Sequence, residues 1–90
     1  MTGTGTAQTI IKEALRLGIL ARPCLGHGMT AIGVGEALTM TQDGFYHVSA
    51  SDLGNNFPFQ VTPAMLMRDW ELTTIDLIRD EYRKVCEVPW

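Results

Sequence analysis

A chain of 90 residues can close one small hydrophobic core, because domains commonly hold roughly 100–150 residues. Every apolar segment must therefore contribute to that core. With 46% hydrophobic and 19% charged residues, the chain is too apolar and too weakly charged to stay disordered. No stretch approaches the roughly 20 apolar residues of a membrane span, so a soluble globular domain is expected. A core this small is thin without staples or partners. Cys24 and Cys86 allow one disulfide at most, and the N-terminus lacks a basic segment followed by an apolar one. A reduced, cytoplasmic setting and a homo-oligomer are the expectations that follow.

Charge narrows the partners. The formal net charge of −3 arises entirely within residues 69–90, where Arg79, Arg83 and Lys84 face Asp69, Glu71, Asp76, Asp80, Glu81 and Glu87. Polymeric nucleic acid is a poor partner, since binding a polyphosphate relies on many Lys and Arg side chains releasing counterions. A small anion needs only one or two cations and a few backbone N–H groups.

Local pattern gives an α+β domain with a small antiparallel β-sheet. Residues 1–8 have little apolar content and are expected to form a disordered start. From Thr9, the residues Ile10, Ile11, Ala14, Leu15 and Leu17 recur at helical spacing up to Gly18, a natural helix stop. Ile19–Ala21 reads as a short strand ending at Arg22-Pro23, Gly26-His27-Gly28 as a turn, and Met29–Val34 as a second strand. Ala37–Thr41 and Phe45–Val48 form a hairpin about Asp43-Gly44. Ser51–Asn56 is polar and turn-forming, and Phe57–Val61 is an edge strand because Pro58 cannot donate to a central ladder. Thr62-Pro63 starts a short helical turn before a last strand, Asp69–Thr73. A C-terminal helix follows, with Ile75, Ile78, Tyr82 and Val85 on one face and a solvated charged face that includes Glu81.

No enzymatic chemistry is indicated. Cys24 and His27 have the two-residue gap of zinc sites, but His47 and Cys86 stand alone where a second ligand pair is required. A Cys24–His27 or Cys24–His47 nucleophile pair lacks an orienting carboxylate and an oxyanion hole. Neither a catalytic residue, a metal nor a cofactor is therefore expected. Arg22 is the residue of interest, either holding an anion beside the glycine turn or pairing with a carboxylate at the end of the sheet. Trp70 reads as core, and Asp69 as a cap, a partner of Arg22, or an acceptor for a ligand hydroxyl.

The segments Glu13-Ala14-Leu15-x-x-Gly18, Ala21-Arg22, Gly26-His27-Gly28-Met29 and Met65-Leu66-Met67-x-Asp69-Trp70-Glu71 together resemble a known group. Over about residues 9–73 the chain is similar to the second family of Thoeris anti-defence proteins of phages. The resemblance implies a sponge that binds a cyclic ADP-ribose isomer or a cyclic oligonucleotide without cleaving it, in pockets between subunits of a dimer or tetramer. It implies a ligand site of Arg22, Leu25, Gly26, His27, Gly28 and Asp69, with Arg22 on phosphate, backbone donors from the Gly26–Met29 loop, and Asp69 on ribose or orienting Arg22. Residues 9–74 would form the sponge-like domain and residues 75–90 a helical extension. Leu25 stands where the family usually has tryptophan, so Phe45, Tyr46, Phe57 or Phe59 would supply the stacking platform instead. The alternative is an inhibitor of a bacterial immune effector, such as a CRISPR nuclease, docking through the acidic C-terminal helix.

Overall fold

The computed structural model describes residues 4–24 and 32–86. The expected turn at Gly26-His27-Gly28, Leu25, and Met29–Ala31 of the second strand lie outside these residues, as do Pro89 and Trp90.

Helix α1 spans Ala7–Leu17. Thr6 caps it by accepting from the Thr9 amide, and Gly18 ends it with φ 68° while donating its N–H to the Ala14 carbonyl. Ala7, Ile10 and Ala14 fall on one stripe and are buried. The strands are β1 (Thr4–Thr6), β2 (Leu20–Pro23), β3 (Glu36–Thr41), β4 (Gly44–Ser49), β5 (Asp52–Phe59) and β6 (Asp69–Thr73). They make one antiparallel sheet in the order β1-β6-β2-β3-β4-β5. The α+β reading is correct: helix α1, the single turn α2 (Pro63–Leu66) before β6, and helix α3 (Ile75–Cys86) accompany the sheet. Thr62 accepts from the Met65 amide with Pro63 at the first helical position, as the sequence leads one to expect.

Strand alternation divides the core. On one face Ala21, Leu38, Trp70 and Leu72 pack with Ile10 and Ala14 of α1. On the other, Leu20, Ala37 and Val48 pack with Ile78 of α3. Trp70 and Ile78 are both fully buried. The sheet is thus sandwiched near β2, while β4 and β5 extend beyond the helices.

Four expectations are corrected. Residues 4–8 are structured instead of a disordered start: Thr4, Gly5 and Thr6 pair with Glu71, Trp70 and Asp69, and α1 begins at Ala7. Strand β6 lies inside the sheet, so its second edge needs backbone partners, and even an apolar-poor segment can supply them. Ile32–Gly35 is a loop ending in a turn rather than strand. Residues 52–56 belong to edge strand β5, which carries a register shift against β4 between His47 and Ser49. Residues 75–86 do not form an appendage, because α3 folds back and buries Ile78 against the sheet. Of the face predicted for α3, Ile75, Tyr82 and Val85 remain exposed.

Gly35 makes the close approach of α3 possible. Its φ is +78°, and a β-carbon there would sit 3.1 Å from the Tyr82 Cβ. Its N–H donates to Glu81 Oε1 at 3.0 Å and its carbonyl accepts from Ala50 at 2.8 Å. Gly35→Ala combines a left-handed backbone penalty of about 1–2 kcal/mol with this tight contact. We expect a loss of about 2 kcal/mol in urea unfolding; a loss under about 0.5 kcal/mol would show that the loop shifts freely.

Candidate functional site

Arg22 sits where two sequence-distant segments meet. In β2 the residues alternate, so Ala21 and Pro23 face α1 while Leu20 and Arg22 face α3. The β2–β6 register then sets Arg22 opposite Glu71 and Pro23 opposite Trp70. The Arg22 side chain is only 5% exposed. Its Nε donates to Glu71 Oε2 at 2.7 Å, and Nη1 donates to Glu81 Oε1 at 2.8 Å and to the Glu36 carbonyl at 3.1 Å. Nη2 donates to Glu81 Oε2, completing a two-pronged contact with α3. All three guanidinium nitrogens are occupied.

The electrostatics follow from this geometry. Burial disfavours the charge on Arg22, yet the hydrogen bonds to Glu81 and Glu71 outweigh it and raise the guanidinium above its ordinary value. The Arg22 hydrogen bond holds Glu81 below the usual carboxylate range against the opposing effect of burial, with help from the Gly35 N–H. Beside Arg22 lies a groove of about 360 Å³ between β6 and α3, lined by Arg22, Glu71, Thr73, Asp80, Glu81 and Lys84. Lys84 pairs with Asp80 at 3.2 Å, as helical spacing predicts.

Asp69 stands elsewhere. It is exposed at the start of β6 and its carbonyl accepts from the Cys24 amide at 2.9 Å. It does not orient Arg22: Glu71, two residues along the strand, holds the register position opposite the arginine. Glu81 belongs to this site rather than to a solvated face. Neither glutamate stands out in the sequence as a site residue. Alternation after Trp70 points to Glu71, and the three-residue step from Ile78 points to Glu81. Arg68 donates Nη2 to the Cys24 carbonyl at 3.2 Å, so two arginines frame that residue. Burial raises the Cys24 thiol above its ordinary value, reinforced by Glu71 and Asp69, which keeps it a poor nucleophile. Leu25, Gly26, His27 and Gly28 lie outside the described residues. Among the described residues, no three His, Cys, Asp or Glu side chains converge as metal ligands would.

The aromatic candidates gather at the far end of the sheet. A concavity of about 500 Å³ lies where β4 begins and β5 ends, lined by Asp43, Phe45, Tyr46, Pro58, Phe59 and Gln60. Phe45 pairs across strands with Phe59, and Tyr46 with Pro58. The His47 ring stacks on Phe59 at a centroid distance of 6.1 Å, while its Nε2 meets Glu36 Oε1 at 3.2 Å. Phe57 lies outside this concavity and is 58% exposed.

No family model, curated protein or solved structure matches the chain.

Proposed function

We propose that this protein is a phage anti-defence sponge, a non-enzymatic binder that sequesters a cyclic ADP-ribose isomer or cyclic oligonucleotide in the host cytoplasm. The observation that carries the reading is the register. Arg22 and Glu71, separate in sequence, stand opposite one another across β2 and β6 and border one polar groove. Both lie in stretches on which the family resemblance rests.

Arg22 would act through its two-pronged face. The fork that grips the Glu81 carboxylate has the geometry by which guanidinium grips a phosphate. A phosphate would therefore take the place of Glu81, keeping the number of charge-assisted bonds while α3 yields. Arg22 faces α3, whereas Phe59 packs on the core beneath α1, with β3 and β4 between their strands. A small ligand touching both would draw them from two copies, which supports a homo-oligomer.

The rival reading, docking of an acidic C-terminal helix on a basic partner, loses part of its charge. Arg22 neutralises Glu81 and Lys84 pairs with Asp80. Among the described residues, no helix is long and apolar enough to cross a membrane.

Calorimetric titration with cyclic ADP-ribose isomers and cyclic di- and trinucleotides tests the proposal. We expect saturable heat with at least one, and recovery of that ligand unchanged after denaturation. Absence of heat across the panel rejects the reading, and recovery of a hydrolysed product rejects the non-enzymatic part.

A further inference from the structure

We infer that the concavity between the β3–β4 turn and the end of β5 is the nucleobase pocket of this binder, an inference that rests on the signal-binding reading. A nucleobase is a flat ring with apolar faces and a polar edge carrying donors and acceptors. The concavity offers the complement of both. The Phe45–Phe59 pair supplies aromatic surface, and Tyr46 and Pro58, one position along each strand, border the same space. Phe45 and Phe59 are both half-buried, and the cross-strand pairing that joins them gives a base a fixed surface instead of a floppy side chain. Stacking of His47 behind Phe59 restrains that ring further.

The polar edge is met at the rim. Asp43 and Gln60 are exposed and line the same space. The Asp43 backbone N–H is committed to the Thr41 hydroxyl at 3.1 Å, whereas its carboxylate engages no other described residue. The Gln60 amide is likewise uncommitted among the described residues. A carboxylate accepts from an exocyclic amino group, and a carboxamide both donates and accepts, so together they suit an amino-bearing purine. Gly44, with φ 137° and no atom within 4 Å of the β-carbon it lacks, leaves the mouth beside Asp43 open. The volume of about 500 Å³ lies within the usual span for small-ligand sites, roughly 300–1,000 Å³, and exceeds what a base alone requires. Ribose can thus share it. This places the platform that Leu25 does not provide on β4 and β5.

The test separates the base pocket from the wider reading by using nucleosides, which carry no phosphate. Adenosine and guanosine are titrated into labelled wild-type protein and followed by NMR, alongside calorimetry with the cyclic nucleotide panel. We expect shifts centred on Phe45, Tyr46, Phe59 and Gln60. Gln60→Ala should weaken nucleoside and cyclic nucleotide about tenfold, the loss of one or two good hydrogen bonds. Asp43→Asn should change the ratio of adenosine to guanosine affinity. Both positions are exposed, so these variants leave the core intact. If a cyclic nucleotide binds but nucleosides leave those signals unmoved, or both variants bind like wild type, the base pocket is wrong and the sponge reading stands. If nucleosides shift those signals while no cyclic nucleotide gives heat, the pocket stands as a base site and the sponge reading falls. If neither binds, both are rejected.

Discussion

Trp70→Ala should remove a large share of the fold's stability. The indole is fully buried near the centre of β6, between α1 and the sheet, and its Nε1 donates to the Met65 carbonyl at 2.9 Å. Truncating a buried tryptophan costs about 3–5 kcal/mol in lost transfer energy and residual cavity. A domain of this length has about 5–13 kcal/mol of total stability, so one substitution can remove most of it. The hydrogen bond adds a second, smaller loss, because the Met65 carbonyl keeps the Arg68 N–H as a donor at 3.1 Å. Trp70→Phe separates the two, retaining most of the area and removing only the indole donor, at about 0.5–1.5 kcal/mol. Urea unfolding followed by far-ultraviolet circular dichroism measures both. A Trp70→Ala midpoint within about 1 kcal/mol of wild type would mean that the core collapses around the void, and would remove Trp70 as the keystone.

The same residue shows what the sequence makes legible. Local chemistry announces itself wherever one or two residues decide the backbone: Gly18 stops α1, Asp43-Gly44 turns β3 into β4, and Thr62-Pro63 starts α2. Large apolar side chains announce burial, and Trp70 and Ile78 are fully enclosed. What stays hidden is structure set by a distant partner. Thr4–Thr6 has no apolar pattern of its own and becomes a strand because β6 has an open edge beside it. Residues 52–56 are mostly polar because this part of edge strand β5 is exposed throughout, and polarity alone reads as turn. The site was legible in its centre and not in its partners. The sequence of Arg22, Pro23 and a glycine turn suits an anion or a carboxylate equally. Only the β2–β6 register brings Glu71 opposite it, and only the return of α3 brings Glu81 across a separation of 59 residues. Glu81 sits among Asp76, Arg79, Asp80, Arg83 and Lys84, so composition marks a solvated face, whereas its three-residue step from Ile78 turns it inward.

Arg22→Ala should be the second most damaging change, and its signature is a pH profile. Removing one member of a buried ion pair costs about 3–5 kcal/mol, because the remaining charge loses its partner. Glu71 and Glu81 keep 29% and 31% of their side-chain surface, so water recovers part of this and about 2–3 kcal/mol is expected at neutral pH. The sign with pH is fixed by Glu81. Its folded value is held down chiefly by the Arg22 hydrogen bond, so the pair stabilises the fold above the unfolded carboxylate range and fades as pH falls through the lower folded value. Wild type should therefore lose stability between about pH 5 and pH 3 more steeply than Arg22→Met, which fills the space without charge. Glu81→Gln should flatten the same window while retaining most of α3, since Ile78 stays buried. Urea midpoints at pH 7 and pH 3 for the three proteins decide it; parallel losses in wild type and both variants would show that the pair is not the acid-sensitive contact. These variants also bear on binding, because Glu81 holds the place a phosphate would take. Glu81→Gln keeps the fork and weakens its resident competitor, so a cyclic nucleotide should bind more tightly, whereas Arg22→Met should abolish the heat. Equal affinity in wild type and Glu81→Gln would mean that the ligand does not contest this carboxylate, and that Arg22 organises the fold without touching the signal.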